Sequence, residues 1–303
     1  MIITGINGFI GQNTIEYFSK EDILCVSSKP KSNQISYLDF SKQNINGRKI
    51  FIHLAGYSHD QKNTASSQVY YEVNTELTKK IFDAFLGSEA KVFITLSSVK
   101  AVADQVEGEL TEEQKPIPVT HYGKSKLLAE LDIFSKEIPE GKRVYVLRPC
   151  MIHGPGNKGN LSLLYKLVSK NIPWPLGAFE NKRSFCSIDN LMFVFKELID
   201  REDIPSGIYN VADDEPLSTN ELIRLIAQSQ NRNPKFWNIS KRFIEGVASI
   251  GDKLHLPLNT ERLQKLTSSY VVSNTKIKAV IGRPLPVSSR EGLLKTFRSF
   301  NSK

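Results

Sequence analysis

The chain has 303 residues, 40% of them hydrophobic, and a formal net charge of +8, enough for one large α/β unit with a smaller appended lobe. The positive balance suits anionic ligands, but no basic helix, zinc-ligand spacing or aromatic RNA-binding signature accompanies it, which excludes nucleic acid and metal as expected partners. Cys25, Cys150 and Cys186 are scattered and odd in number, as in reduced cytoplasmic proteins; no apolar run approaches a membrane span, and no signal peptide is expected before the first strand.

Met1-Ile2-Ile3 reads as a short strand, followed by Thr4-Gly5-Ile6-Asn7-Gly8-Phe9-Ile10-Gly11 and a helical run from Gln12 to Lys20. Glycine allows a tight turn, close approach of backbone to a pyrophosphate, and packing of helix on strand. The helix N-terminus then offers free N–H groups to phosphates. Gly5, Asn7, Gly8, Phe9, Ile10 and Gly11 are therefore expected to bind a dinucleotide. The second strand, Ile23-Leu24-Cys25-Val26, runs into Ser27-Ser28-Lys29-Pro30-Lys31. An acidic residue here would hold the ribose 2′-OH of NAD and repel the 2′-phosphate of NADP. Hydroxyls and cations stand here instead, so Ser27, Ser28 and Lys29 favour NADP(H), with NAD(H) possible and an ordinary basic surface loop the alternative.

Apolar runs at Lys49 to Leu54, Val92 to Leu96 and Val144 to Leu147 alternate with helical patterns around Tyr70 to Phe85 and Tyr122 to Lys136. This order predicts an α/β fold, a Rossmann-type doubly wound parallel sheet that binds ligands at the carboxyl ends of its strands. Tyr122 and Lys126 are spaced so that, on a helix beginning near His121, the ammonium lies about 6 Å along the axis on the same face and favours the phenolate. A hydroxyl from Leu96-Ser97-Ser98, at the end of a strand, would complete an acid/base set.

Further on, Gly207 to Val211 reads as a strand that returns to the main sheet, and Ser218-Thr219-Asn220-Glu221 and Ser288-Ser289-Arg290-Glu291 as capping boxes that start helices. In the segment from Phe236 to Leu258, Trp237, Ile239, Phe243, Ile244, Val247 and Ile250 form a helical apolar stripe, expected to be core or a lobe interface, with a partner helix or a membrane surface as the other reading. The division expected is a dinucleotide-binding domain over 1–150, rejoined by the strand near 207–212, and a smaller C-terminal α/β substrate-binding lobe over 151–303.

The G-x-x-G-x-x-G spacing with Ser97-Ser98 and Tyr122-Gly123-Lys124-Ser125-Lys126 resembles the extended short-chain dehydrogenase/reductase superfamily and its NAD-dependent epimerase/dehydratase family. The resemblance implies that Ser98 (Ser97 as the alternative), Tyr122 and Lys126 are catalytic. It implies that Leu54, Ala55 and Gly56, in His53-Leu54-Ala55-Gly56, line the pyrophosphate and ribose, that Asp39 and Phe40 lie by the adenine, and that Pro149 borders the cofactor. The run Leu147 to Gly156 resembles the segment leading into a sugar-nucleotide lobe. Asn160, Leu161, Leu176, Arg183 and Phe185 match positions that hold the diphosphate and uracil of UDP-sugars, and Met151 stands where galactose-type epimerases place a substrate-touching asparagine. Val99-Lys100 follows Ser98 in place of the Asp-Glu of 4,6-dehydratases, which argues against dehydration.

Leu96 to Lys100, Gly154 to Asn160, Pro175 to Ala178 and Arg183-Ser184 look like the branch with UDP-sugar 4-epimerase-like proteins and UDP-N-acetylquinovosamine 4-ketoreductases. The expected activity is NADP(H)-dependent 4-keto reduction of a UDP-(N-acetyl)-6-deoxy-hexos-4-ulose for surface polysaccharide synthesis in the cytoplasm. The alternatives are a UDP-hexose 4-epimerase with tightly bound NAD and, more remotely, a non-catalytic dinucleotide-sensing protein. A homodimer is expected from the superfamily.

Overall fold

The apolar opening forms β1 (Ile2–Thr4), the strand around which the main sheet is arranged. A computed structural model of the protein describes residues 1–31, 34–37, 39–40, 45–58, 66–157, 159–254 and 259–301. With β2 (Leu24–Ser27), β3 (Gln34–Ser36), β4 (Ile50–His53), β5 (Val92–Leu96), β7 (Arg143–Pro149) and β10 (Gly207–Val211), β1 builds a seven-stranded sheet in the order β10-β7-β5-β4-β1-β2-β3. Every pairing in it is parallel. The chain runs outward from β1 through β2 to β3, then crosses back to β4 on the other side of β1. That reversal opens a crevice at the carboxyl ends of β1 and β4.

Successive strand residues feed opposite faces, as a period of two requires. Ile3, Ile52 and Ile94 join one core, closed by Leu191, Val194 and Phe195 of the helix Ile188–Asp200. Ile2, Phe51 and Phe93 join the other, closed by Phe82, Phe85 and Ile133. The second half adds two smaller cores, one around Leu161, Tyr165, Phe185 and Phe297 and one around Trp174, Leu176, Ile244 and Leu263. Short parallel pairs, β8 (Met151–His153) with β9 (Phe185–Ser187) and β6 (Glu109–Leu110) with β11 (Val271–Val272), tie this lobe to the sheet's carboxyl edge.

Several local expectations are corrected. The first helix, α1, spans Phe9–Tyr17 and not Gln12 to Lys20, because Gly8 is its N-cap and Phe9 and Ile10 already belong to its first turn. The strand Gln34–Ser36, only half-buried, was not expected. The helical pattern from Tyr70 to Phe85 is three pieces: α2 (Ser67–Tyr71), a π-helical turn (Glu72–Glu76) and α3 (Leu77–Leu86). The helix bearing Tyr122, α4, spans His121–Ser135. Both capping boxes form: Ser218 and Glu221 exchange hydrogen bonds at the start of Thr219–Ser229, and Ser288 and Glu291 do so at Ser289–Asn301. The stripe after Phe236 does not face one core. Its helix, Lys241–Leu254, buries Ile244, Ala248 and Gly251 but leaves Phe243 and Ile250 exposed, and residues 255–258 lie outside the described residues.

Candidate active site

The glycine loop is shaped by contacts only glycine tolerates. Gly5 has φ +71°, and a side chain there would meet the backbone of Leu54 and Ala55 at 2.5 Å; one at Gly11 would meet the Gly5 carbonyl at 2.4 Å. Gly8 has open space instead, with only the Gly5 carbonyl at 3.4 Å, and caps α1 without a side-chain hydrogen bond. The first N–H groups of α1 thus face a cradle that a phosphate fits. Thr4 Oγ1 accepts from the Leu54 and Ala55 amides at 3.2 and 3.3 Å, joining β1 to the His53-Leu54-Ala55-Gly56 turn across the crevice. Burial, with the nearby Lys126 charge second, pushes the His53 pKa down to about 3, so the imidazole between Thr4 and Thr78 is neutral.

At the end of β2, Asn7 Nδ2 donates to Ser27 Oγ at 2.7 Å, which fixes the buried Ser27 against the loop and leaves Ser28 and Lys29 exposed beside it. No acidic residue stands at this position. Asp39 is held by Ser36 Oγ, and the Phe40 ring packs edge-on against Phe51 at 6.0 Å, placing Phe40 in the core on that face of the sheet. These residues fit a nicotinamide dinucleotide: Gly5 to Gly11 at the pyrophosphate, Ser27 to Lys29 at the adenosine ribose, Leu54 to Gly56 along the chain.

The reacting groups converge across the crevice. Ser98 follows β5 and is hydrogen-bonded to Tyr122; its Oγ also accepts from the Lys100 amide at 3.2 Å. Burial raises the Tyr122 pKa, with the Ser98 hydrogen bond opposing and Tyr70 adding to the rise. Lys126 Nζ donates to the Leu96 carbonyl at 2.8 Å. Its pKa is lowered to about 8 by burial, against the pull of the Glu130 carboxylate one turn on. Glu130 is itself paired with Arg148, both 3% exposed at their side chains.

Several residues of this site carry no sequence motif that marks them. Gly123 follows the tyrosine, and a Cβ there would lie 2.3 Å from the Lys100 carbonyl. Its absence lets α4 touch the turn after Ser98. Asn74, in the π turn, accepts from the Tyr57 amide at 2.8 Å and donates to Tyr57 O and to Ser125 Oγ at 3.0 Å. Ser125 in turn donates to the Tyr122 carbonyl at 2.8 Å. Tyr57 and Tyr70 form an aromatic wall, Tyr70 lying 6.4 Å from the Tyr122 ring. A glycine directly after the tyrosine was the only sequence clue to any of these.

On the lobe side, the Arg183 guanidinium donates to the Lys265 carbonyl, and burial lowers its pKa while Tyr270 and Cys150 raise it. Lys100 Nζ lies 4.2 Å over the Tyr270 ring; burial lowers the Lys100 pKa, the Asp104 charge opposes this and the Arg183 charge adds to it. Arg183 and Lys100 thus both lie near Tyr270, and Lys100 Nζ also donates to the Asp104 carbonyl at 2.8 Å. Asn160, itself exposed, begins the helix Asn160–Ser169, Met151 is half-buried in β8, and Pro149 ends β7. Phe185 is 1% exposed, Leu161 5% and Leu176 4%, and each packs in a lobe core. Lys158, within the Gly154 to Asn160 run, lies outside the described residues.

A dinucleotide loop at the switch point of a doubly wound sheet, with serine, tyrosine and lysine converging opposite it, defines an extended short-chain dehydrogenase/reductase. Residues 1–212 match the family model described as the NAD dependent epimerase/dehydratase family, and the chain belongs to that family. It is 29% identical to a UDP-glucose 4-epimerase of Vibrio cholerae, over 99% of this chain and 95% of the relative. It is 27% identical to N-acetyl-alpha-D-glucosaminyl-diphospho-ditrans,octacis-undecaprenol 4-epimerase of Escherichia coli O157:H7, over 77% and 72%. Among solved structures, the fold matches UDP-glucuronic acid 4-epimerase from Bacillus cereus in complex with NAD, with a TM-score of 0.74 at 17% identity over 99% and 98% of the chains. It also matches the Bordetella bronchiseptica enzyme WbmG in complex with NAD and UDP, at 0.75 and 15% over 99% and 93%. The protein is thus a nucleotide-sugar epimerase/dehydratase-family enzyme. Among the described residues no helix is long and apolar enough to cross a membrane, and no group of three or more His, Cys, Asp or Glu could hold a metal ion.

Proposed function

We propose that the chain moves hydride at C4 of a UDP-linked hexose and works as a 4-epimerase. The observation that carries this reading is the convergence of Ser98, Tyr122 and Lys126 opposite the glycine loop, in a chain similar over 99% of its length to a 4-epimerase. A bound nicotinamide dinucleotide supplies hydride acceptance and return at C4. Tyr122 takes the proton from the C4 hydroxyl and later restores it, Ser98 donates a hydrogen bond to the same oxygen, and Lys126 places a positive charge behind both. Arg183 and Lys100 hold the diphosphate.

A second reading, NADP(H)-dependent reduction of a UDP-4-keto sugar, is favoured by the acid-free end of β2, where Ser27, Ser28 and Lys29 suit a 2′-phosphate. One pair of assays separates them. The protein is incubated with UDP-glucose or UDP-N-acetylglucosamine while C4 epimers are resolved, and separately with NADPH and a UDP-4-keto-6-deoxy-N-acetylhexosamine. Epimers formed without net change in nicotinamide absorbance support the first reading. NADPH loss matched by a 4-hydroxy sugar, with no epimers, overturns it in favour of the second. We further propose a homodimer through α3 and α4, where Leu128, Leu131 and Phe134 are 45%, 58% and 40% exposed.

A further inference from the structure

The helix Lys241–Leu254 carries two apolar faces, and only one is covered. Ile244, Ala248 and Gly251 pack on the lobe beside Trp174, Leu176 and Leu263. Phe243, Val247, Ile250 and Leu254 repeat at helical spacing; at about 100° per residue they fall within about 60° of one another, on a second face. Phe243 is 62% exposed, Ile250 55% and Leu254 64%, and Trp237, shortly before the helix, is 54% exposed.

The charges around this face are ordered. Arg242 and Lys253 project about a quarter turn from the apolar stripe, on the side away from the buried face, whereas Glu245 and Asp252 lie about half a turn away. Both cations are exposed. An apolar stripe edged by long cationic side chains on a helix parallel to the surface suits a bilayer of anionic phospholipid, into which the stripe dips while the cations reach the headgroups. Trp237, exposed just before the first turn of the helix, suits the headgroup boundary. A second copy of the chain fits this face poorly, since a two-fold interface would bring Arg242 and Lys253 of both copies to its edge with no acid beside them on that side of the helix.

We propose that this face of the helix docks the protein on an anionic phospholipid membrane, as a peripheral contact independent of the reaction assigned above. The test is flotation of the purified protein with phosphatidylcholine vesicles with and without phosphatidylglycerol, together with tryptophan emission. The chain has two tryptophans, and Trp174 is buried at 5% exposure, so a shift on binding reports Trp237. Flotation with phosphatidylglycerol vesicles that weakens with salt, with a blue shift lost in Trp237→Phe, is expected. Phe243→Asp with Ile250→Asp, and separately Arg242→Glu with Lys253→Glu, are each expected to reduce the bound fraction about tenfold or more, with turnover of soluble substrate unchanged. Absence of flotation at low salt, or unchanged flotation of both double variants, overturns the proposal. So does a protein that ignores vesicles and falls from dimer to monomer in Phe243→Asp, which would make a second copy the occupant.

Discussion

Tyr122 and Lys126 are tuned in opposite directions by the same burial. Among the chain's own groups, burial raises the tyrosine above its ordinary range, while the lysine falls to about 8. Under the second reading, reduction of a C4 ketone needs the protonated phenol beside the charged ammonium. That charge is complete well below pH 8 and is lost as the pH rises through the lysine's value, so the reductive rate should fall across this limb in a pH–rate profile. A rate that stays level to pH ~10, the ordinary lysine range, contradicts this assignment. Tyr122→Phe removes the proton carrier and keeps the ring against Tyr70; turnover should drop by about 10²–10⁴-fold, while dinucleotide affinity in a fluorescence titration stays near that of the parent. Lys29→Glu with Lys31→Glu places acid where the 2′-phosphate would lie. The NADPH/NADH affinity ratio should fall in that variant, and an unchanged ratio would mean that the loop is merely basic surface.

The elements meet because of what is missing from them. Gly123 has no Cβ to strike the Lys100 carbonyl, so α4 can lie against the turn that carries Ser98. Gly123→Ala must displace one of them, and a misplacement of about 1 Å can cost about 100-fold in rate. The variant should lose turnover while circular dichroism and dinucleotide binding change little. Sequence patterns exposed the parts of this arrangement that are local. The glycine loop, the Tyr122–Lys126 spacing and the strand end at Ser98 each declare themselves within a few residues. The Asn74–Ser125 bond joins positions 51 apart and has no local pattern. Three half-buried residues of β3 carry too little periodicity to read as a strand, and Phe9 and Ile10 looked like loop because the glycines around them dominate. The packing of Phe185 and Leu161 in the lobe core joins distant segments and has no local pattern either.

At the scale of the molecule, the exposed Leu128, Leu131 and Phe134 of α4 are spaced three apart along one side and suit an isologous partner. Leu131→Glu should shift the protein from dimer to monomer in analytical ultracentrifugation, and a species already monomeric in the parent refutes that interface. The sheet has its own consequence for how the chain matures. Residues 207–211 form the edge strand β10, with five Cα partners on β7, although the segments between them belong mostly to the lobe. A nascent chain that has emerged only as far as β7 therefore presents that strand as an open edge, available to any other extended segment until about sixty further residues follow. Pausing of synthesis within that interval should be the moment at which the polypeptide most needs a chaperone.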